Sequence, residues 1–307
     1  MEKRKIEKNY EFYSNYDFFV PDPHGVLMLI LWFIAGALLG SVISIPIVFL
    51  LGSNPLAQEY AMLVAYPLMF IPAMIYASYK SRENSFFGKG FKLSNHHYLP
   101  LGLGICIPLV MLVTIATSFL ADSVIALLPP MPDWLSDILS NMTQSNFLVN
   151  FLSVCIFAPF FEEWLCRGMI LRGLLNYERK GKDGEKVKGM KPVWAIVISA
   201  AIFAIIHANP WQAIAAFSLG VLFGYVYYRT GSIWLTMLMH FTNNFFALVL
   251  SNIEGLAEME GFKDVLPGGL YWAVLVFCAA FIVYFVYKFL AIKPLDKQGS
   301  CAELVSE

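Results

Sequence analysis

Apolar residues in this chain gather into eight runs of about the length that crosses ~30 Å of hydrocarbon. The runs cover residues 26–51, 57–80, 98–121, 147–175, 192–208, 211–229, 232–250 and 269–291. Each predicts a transmembrane helix, because only a helix satisfies its own backbone groups within a single span in lipid. Between the third and fourth runs lies PPMPDWLSDILSNMTQSN, which predicts a short amphipathic helix on the membrane surface. No internal repeat and no inverted pair of interrupted helices is visible, so one membrane domain is expected over 26–291. Its core falls at 147–250, between an N-terminal segment 1–25 and a tail 292–307. The fold class is therefore all-α, polytopic, with about eight transmembrane helices.

Composition agrees with that pattern. Of 307 residues, 58% are apolar and only 14% charged, well below the charged share of a soluble domain. The net charge of −1 gives no sign of a nucleic-acid partner. Cys106, Cys155, Cys166, Cys278 and Cys301 are scattered and odd in number, which fits neither a disulfide framework nor a zinc ribbon. The first apolar run is too long for a signal-peptide core, so it is expected to be retained as a span.

Charge sets the expected orientation. If every run spans once, nineteen of the 21 basic residues fall on one side. These are Lys3, Arg4, Lys5 and Lys8, then Lys80, Arg82, Lys89 and Lys92, then Arg172, Arg179, Lys180, Lys182, Lys186, Lys188 and Lys191, and last Arg229, Lys288, Lys293 and Lys297. Lys263 alone lies opposite, in a loop dominated by Glu254, Glu258, Glu260 and Asp264, while Arg167 is inside a run. The positive-inside rule then places both termini in the cytoplasm. The charged stretch NYERKGKDGEKVKG reads as a solvated cytoplasmic connection.

Against this background five ionisable residues stand inside apolar runs: Glu162, Glu163, Arg167, His207 and His240, with Asn243 and Asn244 close behind. Each ionisable group there costs about 2.5–3.5 kcal/mol on insertion scales, so their confinement to the fourth, fifth and seventh runs suggests one shared site. At about 100° per residue, Arg167 shares a face with Glu163 and not with Glu162. The expected ion pair is Glu163–Arg167, which leaves Glu162 without a cation on its own helix and hence the better proton acceptor. Pro159 has no N–H, frees a carbonyl near the site and is expected to kink the helix. Ser199, Phe203 and His207 recur on one stripe of the fifth run, and His240 and Asn244 on one stripe of the seventh.

A carboxylate, two imidazoles and an amide suit hydrolysis of a peptide bond. Glu162 would take a proton from water, His207 would position that water, and His240 with Asn244 would donate to the oxyanion. A divalent metal such as zinc is an alternative held open, with Glu162, His207 and His240 as its ligands, although HExxH is absent. No cofactor is otherwise required. A proton-coupled transporter is a second reading of the same residues, and an inactive scaffold a third.

EEWLCR, FAIIH and HFTNN resemble the EExxxR, FxxxH and HxxxN motifs of the CAAX-protease and bacteriocin-processing membrane proteases, which include the type II CAAX prenyl endopeptidases. The resemblance extends from about Phe151 to Ala247 and includes SLGVLFGYVYYRTGSIWLTMLMH. It implies eight spans around a cavity open to the cytoplasm, with Glu162 as base, His207 assisting the water, and His240 with Asn244 as oxyanion site. Glu163, Arg167 and Phe203 fall at supporting positions. Relatives described both as metalloproteases and as glutamate-dependent proteases leave the metal open. The implied partners are the bilayer and a peptide or protein substrate presented from the membrane or cytoplasm, lipidated or not. The short loops resemble bacterial members, which implies a bacterial plasma membrane. Cys166 stands where such members usually carry Phe, and a local packing effect is expected from it.

Overall fold

The structure, a computed structural model, describes residues 19–51, 57–86, 96–136, 146–180, 186–253, 255 and 261–294. Eight helices carry the fold. They are α1 (Pro23–Leu51), α2 (Ala57–Phe86), α3 (Leu103–Ile125), α4 (Phe147–Asn176), α5 (Pro192–Ile205), α6 (Pro210–Thr230), α7 (Ile233–Ser251) and α8 (Gly268–Phe289). The protein is thus an all-α polytopic membrane protein. Its only strands among the described residues form a two-stranded antiparallel hairpin, β1 (Glu178–Lys180) with β2 (Lys186–Lys188), inside the charged connection.

Seven of the helices are long and apolar enough to cross a membrane; α5 is not. Its 14 residues rise only ~21 Å, short of the ~30 Å hydrocarbon core. The apolar run continues to residue 208, but the chain stops the helix earlier. Ala208 takes a left-handed φ of 57°, and Asn209 caps α6 by accepting from the Gln212 N–H, with Pro210 in the first turn. The fifth expected span is therefore a short helix, and His207 lies in the turn beyond it. The alternation of the chain survives, because α6 returns to the end where α5 began.

Hydrogen bonds identify the two ends of the bundle. At one end the Phe19 N–H donates to Ser81 of α2 and Arg172 of α4 donates to the Phe19 carbonyl. There too the His97 N–H reaches the Thr230 carbonyl, Tyr98 reaches Ser232, and Arg229 donates to the Phe289 and Leu290 carbonyls. This is the end with the basic residues. At the opposite end the Asn146 N–H meets Glu59, Trp211 donates to the Pro129 carbonyl, and Asp122 accepts from the Phe262 N–H. Both limits of the described chain, Phe19 and the residues after α8, thus lie at one end. Of the expected surface helix only 133–136 is helical among the described residues, and 137–145 lie outside them.

The core has two main parts meeting at α6 and α7. One joins α1, α2, α4 and the start of α5 through Leu29, Phe70, Leu165, Met169 and Ala195. The other joins α3, α6, α7 and α8 through Val110, Phe223, Met239 and Phe285. α1 and α2 approach closely at Gly36 and Gly40, where side chains would collide. A Cβ on Gly36 would sit 2.2 Å from the Met69 carbonyl oxygen, and one on Gly40 would sit 2.9 Å from that of Ala65. Without a hydrophobic drive between helices in lipid, such small residues let backbones touch. Gly36→Val is expected to cost about 1–3 kcal/mol through overpacking. Gly104→Ala, which meets nothing within 4 Å, should be neutral; the midpoint of heat-induced aggregation in detergent compares the two.

Candidate active site

α4 positions most of the site, and it is not a uniform α-helix. Residues Phe151–Phe157 and Trp164–Leu171 are π-helical and flank an α-helical turn, Ala158–Glu163, that holds the two glutamates. Such wide turns recur at functional sites because they re-aim side chains that an α-helix would spread evenly. The first π segment also explains Pro159. The Ala158 N–H bonds back to the Ser153 carbonyl, five residues away. In that register the next acceptor, the Val154 carbonyl, faces the nitrogen of Pro159, which has no hydrogen. The Asn244 side-chain amide takes that carbonyl instead, at 2.8 Å. The proline thus gives α7 a point of attachment to α4.

Asn244 is held from its other side as well. Its side-chain oxygen accepts from Asn243 at 2.9 Å, and Asn243 in turn accepts from Ser118 of α3 at 2.7 Å. The carboxamide has two amide hydrogens, so binding Val154 leaves one to donate elsewhere.

The charged centre lies one turn away. Glu163 Oε1 accepts from Arg167 at 2.7 Å and from His240 Nδ1 at 3.0 Å, with Glu163 and Arg167 fully buried. Arg167 also donates to the Gly220 carbonyl at 3.0 Å. Its guanidinium lies 4.5 Å from the Phe203 ring and 5.2 Å from the Phe223 ring. The same two rings enclose the His240 imidazole, Phe203 edge-on at 5.6 Å and Phe223 tilted at 5.9 Å. Phe203 therefore wedges cation and imidazole against α4.

Glu162 is buried beside this centre. Its Oε1 accepts a hydrogen bond from the hydroxyl of Tyr66 on α2, and its Oε2 has no hydrogen-bond partner. Oε2 lies 3.9 Å from His240 Nε2, outside hydrogen-bond range. Helical spacing separates the faces of Glu162 and Glu163, yet one imidazole reaches both, Nδ1 to Glu163 and Nε2 towards Glu162. Because Glu163 Oε1 accepts, Nδ1 is the donor, and Nε2 is the nitrogen turned to Glu162.

His207 comes near the centre without joining it. Its Nδ1 donates to the Phe203 carbonyl at 2.8 Å, and its ring packs on Phe203 at 5.1 Å. No hydrogen bond or ion pair among the described residues links it to Glu162. Phe203 is the bridge, touching both imidazoles. Ser199 of the same stripe donates to the Cys166 carbonyl at 2.9 Å, and Cys166 packs with Phe203, Ala204 and Ala216 inside the core. Tyr66 escaped the sequence reading. Fifteen tyrosines occur in the chain, and nothing in the local pattern marks this one.

Among the described residues no three His, Cys, Asp or Glu side chains lie close enough to hold a metal ion. Both histidines commit Nδ1 to the protein, and His207 stands apart from the Glu162–His240 pair. In this arrangement the three do not fit a metal centre.

Residues 144–246, a third of the chain, match the family model described as type II CAAX prenyl endopeptidase Rce1-like. The chain carries an Rce1-like region. It runs from the residues leading into α4 to the middle of α7, so Glu162, Glu163, Arg167, Phe203, His207, His240 and Asn244 all fall inside it. α1, α2, α3 and α8 fall outside. Comparison with curated proteins and with solved structures finds no match.

The buried pair generates a stability test. Arg167→Met leaves Glu163 as an uncompensated buried carboxylate, and a loss of about 3–5 kcal/mol is expected. Arg167→Met combined with Glu163→Gln removes both charges and should recover most of that loss, read as the thermal midpoint in detergent.

Proposed function

We propose that the protein is a CAAX-type intramembrane endopeptidase that uses Glu162 as general base. The family match over residues 144–246 supports the reaction class. The observation that carries the assignment to Glu162 is its partnerless Oε2, buried and aimed towards His240 Nε2 at 3.9 Å. Glu163 Oε2 is likewise without a hydrogen-bond partner, but the Glu163 carboxylate is held by Arg167 at 2.7 Å and His240 at 3.0 Å, whereas Glu162 is hydrogen-bonded to Tyr66 alone.

In this reading a water beside Glu162 gives one proton to Oε2 while its oxygen bonds to the scissile carbonyl carbon. The carbonyl oxygen becomes an oxyanion. It accepts hydrogen bonds from His240 Nε2–H and from the second amide hydrogen of Asn244, donors held in place before the charge develops. With Nε2 protonated, two carboxylates, one guanidinium and one imidazolium sum to zero, which suits a buried cluster. Collapse of the intermediate breaks the C–N bond, and the proton on Glu162 passes to the leaving nitrogen. His207, with Nδ1 fixed on Phe203, turns Nε2 outward to orient water or substrate. The reading uses no metal.

The substrate class is a peptide bond in a membrane-associated or lipidated chain, reached through a cavity open to the cytoplasm. The basic end of the bundle faces the cytoplasm on the charge rule. A cell-surface membrane is the expected location.

Detergent-purified protein offered quenched-fluorescent peptides, including a farnesylated CAAX peptide, tests this. Cleavage is expected from wild type and unchanged by chelator, and Glu162→Gln should lower kcat by about 10²–10⁴. Loss of wild-type cleavage on chelation would move the reaction to a metal. Full activity in Glu162→Gln would overturn the base assignment. No cleavage of any peptide by folded protein would favour a proton-coupled transporter, tested next by solute flux.

A further inference from the structure

The Rce1-like region contains every residue of the proposed chemistry, yet the hydrogen bond made to its general base comes from outside it. Tyr66 stands on α2, 96 residues before Glu162, and its hydroxyl is the donor to Glu162 Oε1. A phenol can only act there as donor, because a carboxylate offers no proton, so one carboxylate oxygen is occupied and the other is left open. The occupied oxygen is Oε1; the open one, Oε2, lies 3.9 Å from His240 Nε2.

The surroundings of Tyr66 hold it in that position. Its ring contacts Phe70 at 5.7 Å, Phe70 stacks on Phe161 at 5.3 Å, and Phe161 is the residue before Glu162. Phe70 also meets Phe33 of α1 at 5.1 Å, so three helices share one aromatic column. On the far side, the neighbours of Tyr66 in sequence and one turn on, Ala65 and Met69, have their carbonyls against Gly40 and Gly36 of α1. The glycines allow α1 to press α2 towards α4, and the phenol reaches the carboxylate at the end of that stack. The groups facing Glu162 are then Tyr66 from α2 and His240 from α7, with Glu163 and Arg167 of its own helix one step further.

We infer that Tyr66 is a positioning residue for the proposed reaction, which selects Glu162 Oε2 as the proton acceptor by binding Oε1 and fixing the carboxylate's rotation. This rests on the endopeptidase reading above. Tyr66 touches neither water nor substrate in this role. It prevents the carboxylate from turning its free oxygen away from His240, and so keeps proton acceptor and oxyanion donors on one side of the scissile bond. A helix outside the family-matched region thereby becomes part of the site, and a chain reduced to that region would lose the constraint.

Tyr66→Phe removes one oxygen and keeps the ring column. A hydrogen bond to a charged partner is worth a factor of roughly 10–100. In the full-length protein, Tyr66→Phe is therefore expected to lower kcat by about that factor. KM should stay within about twofold, because the lost bond acts on the chemical step and not on substrate binding. Wild type, Tyr66→Phe and Glu162→Gln are assayed together with the farnesylated peptide, and each is melted in detergent. A fall in kcat at unchanged KM and unchanged melting midpoint, with Glu162→Gln inactive, supports the inference. Wild-type kcat in Tyr66→Phe beside an inactive Glu162→Gln overturns it and leaves the base assignment standing. A fall in kcat that only follows a lowered midpoint assigns Tyr66 to packing and overturns it too. Full activity in Glu162→Gln removes the base assignment and the role of Tyr66 with it, and no cleavage by folded wild type removes the endopeptidase reading as well.

Discussion

Glu163 and Arg167, fully buried in a protein that spans a membrane, constrain everything packed around them. Neither charge could stay there alone, since an unpaired ion at that depth costs several kcal/mol. Their pairing at 2.7 Å lets α4 enter the bilayer, but it does not exhaust either group. Arg167 recruits the Gly220 carbonyl and two phenylalanine rings. Glu163 recruits His240. The pair therefore draws α5, α6 and α7 onto α4, and the helices of the site are those that satisfy it.

What the pair does for Glu162 is indirect. By taking Nδ1 of His240, Glu163 decides which imidazole nitrogen faces Glu162 and which orientation the ring keeps. This is the logic by which an outer carboxylate sets the tautomer and aim of a histidine in many sites. Phe203 and Phe223 finish the task by packing against the ring, one at right angles and one tilted. A cluster assembled for insertion into lipid is thus already organised for proton transfer, and the two requirements share the same atoms.

The departures from regular helix serve the same end. The π turns of α4 place Val154 opposite a proline nitrogen, and the unclaimed carbonyl becomes the anchor for Asn244. α5 stops short, so His207 sits in a turn with its backbone carbonyl held by Asn209 at 3.0 Å. His207 still falls one turn beyond Phe203, so its imidazole packs on that ring, within one side chain of His240.

Much of this was legible in the residues, for physical reasons that act locally. Hydrocarbon thickness demands long apolar runs, so helices emerged within a few residues of their observed limits. Their count, alternation and basic end followed from where apolar runs stop and charges fall. Glu163–Arg167 could be read because the partners are four residues apart on one helix. Pro159 could be read as freeing a carbonyl, though an α-helical register points to Cys155 and the π register chose Val154. Partners far apart in sequence were decided only by the tertiary structure. His240 meets Glu163 across 77 residues and Asn244 meets Val154 across 90. Tyr66 meets Glu162 across 96. Sequence periodicity says which face a side chain occupies; which helix covers that face depends on close approach, and here on two glycines and a column of rings whose fit no pattern along the chain encodes.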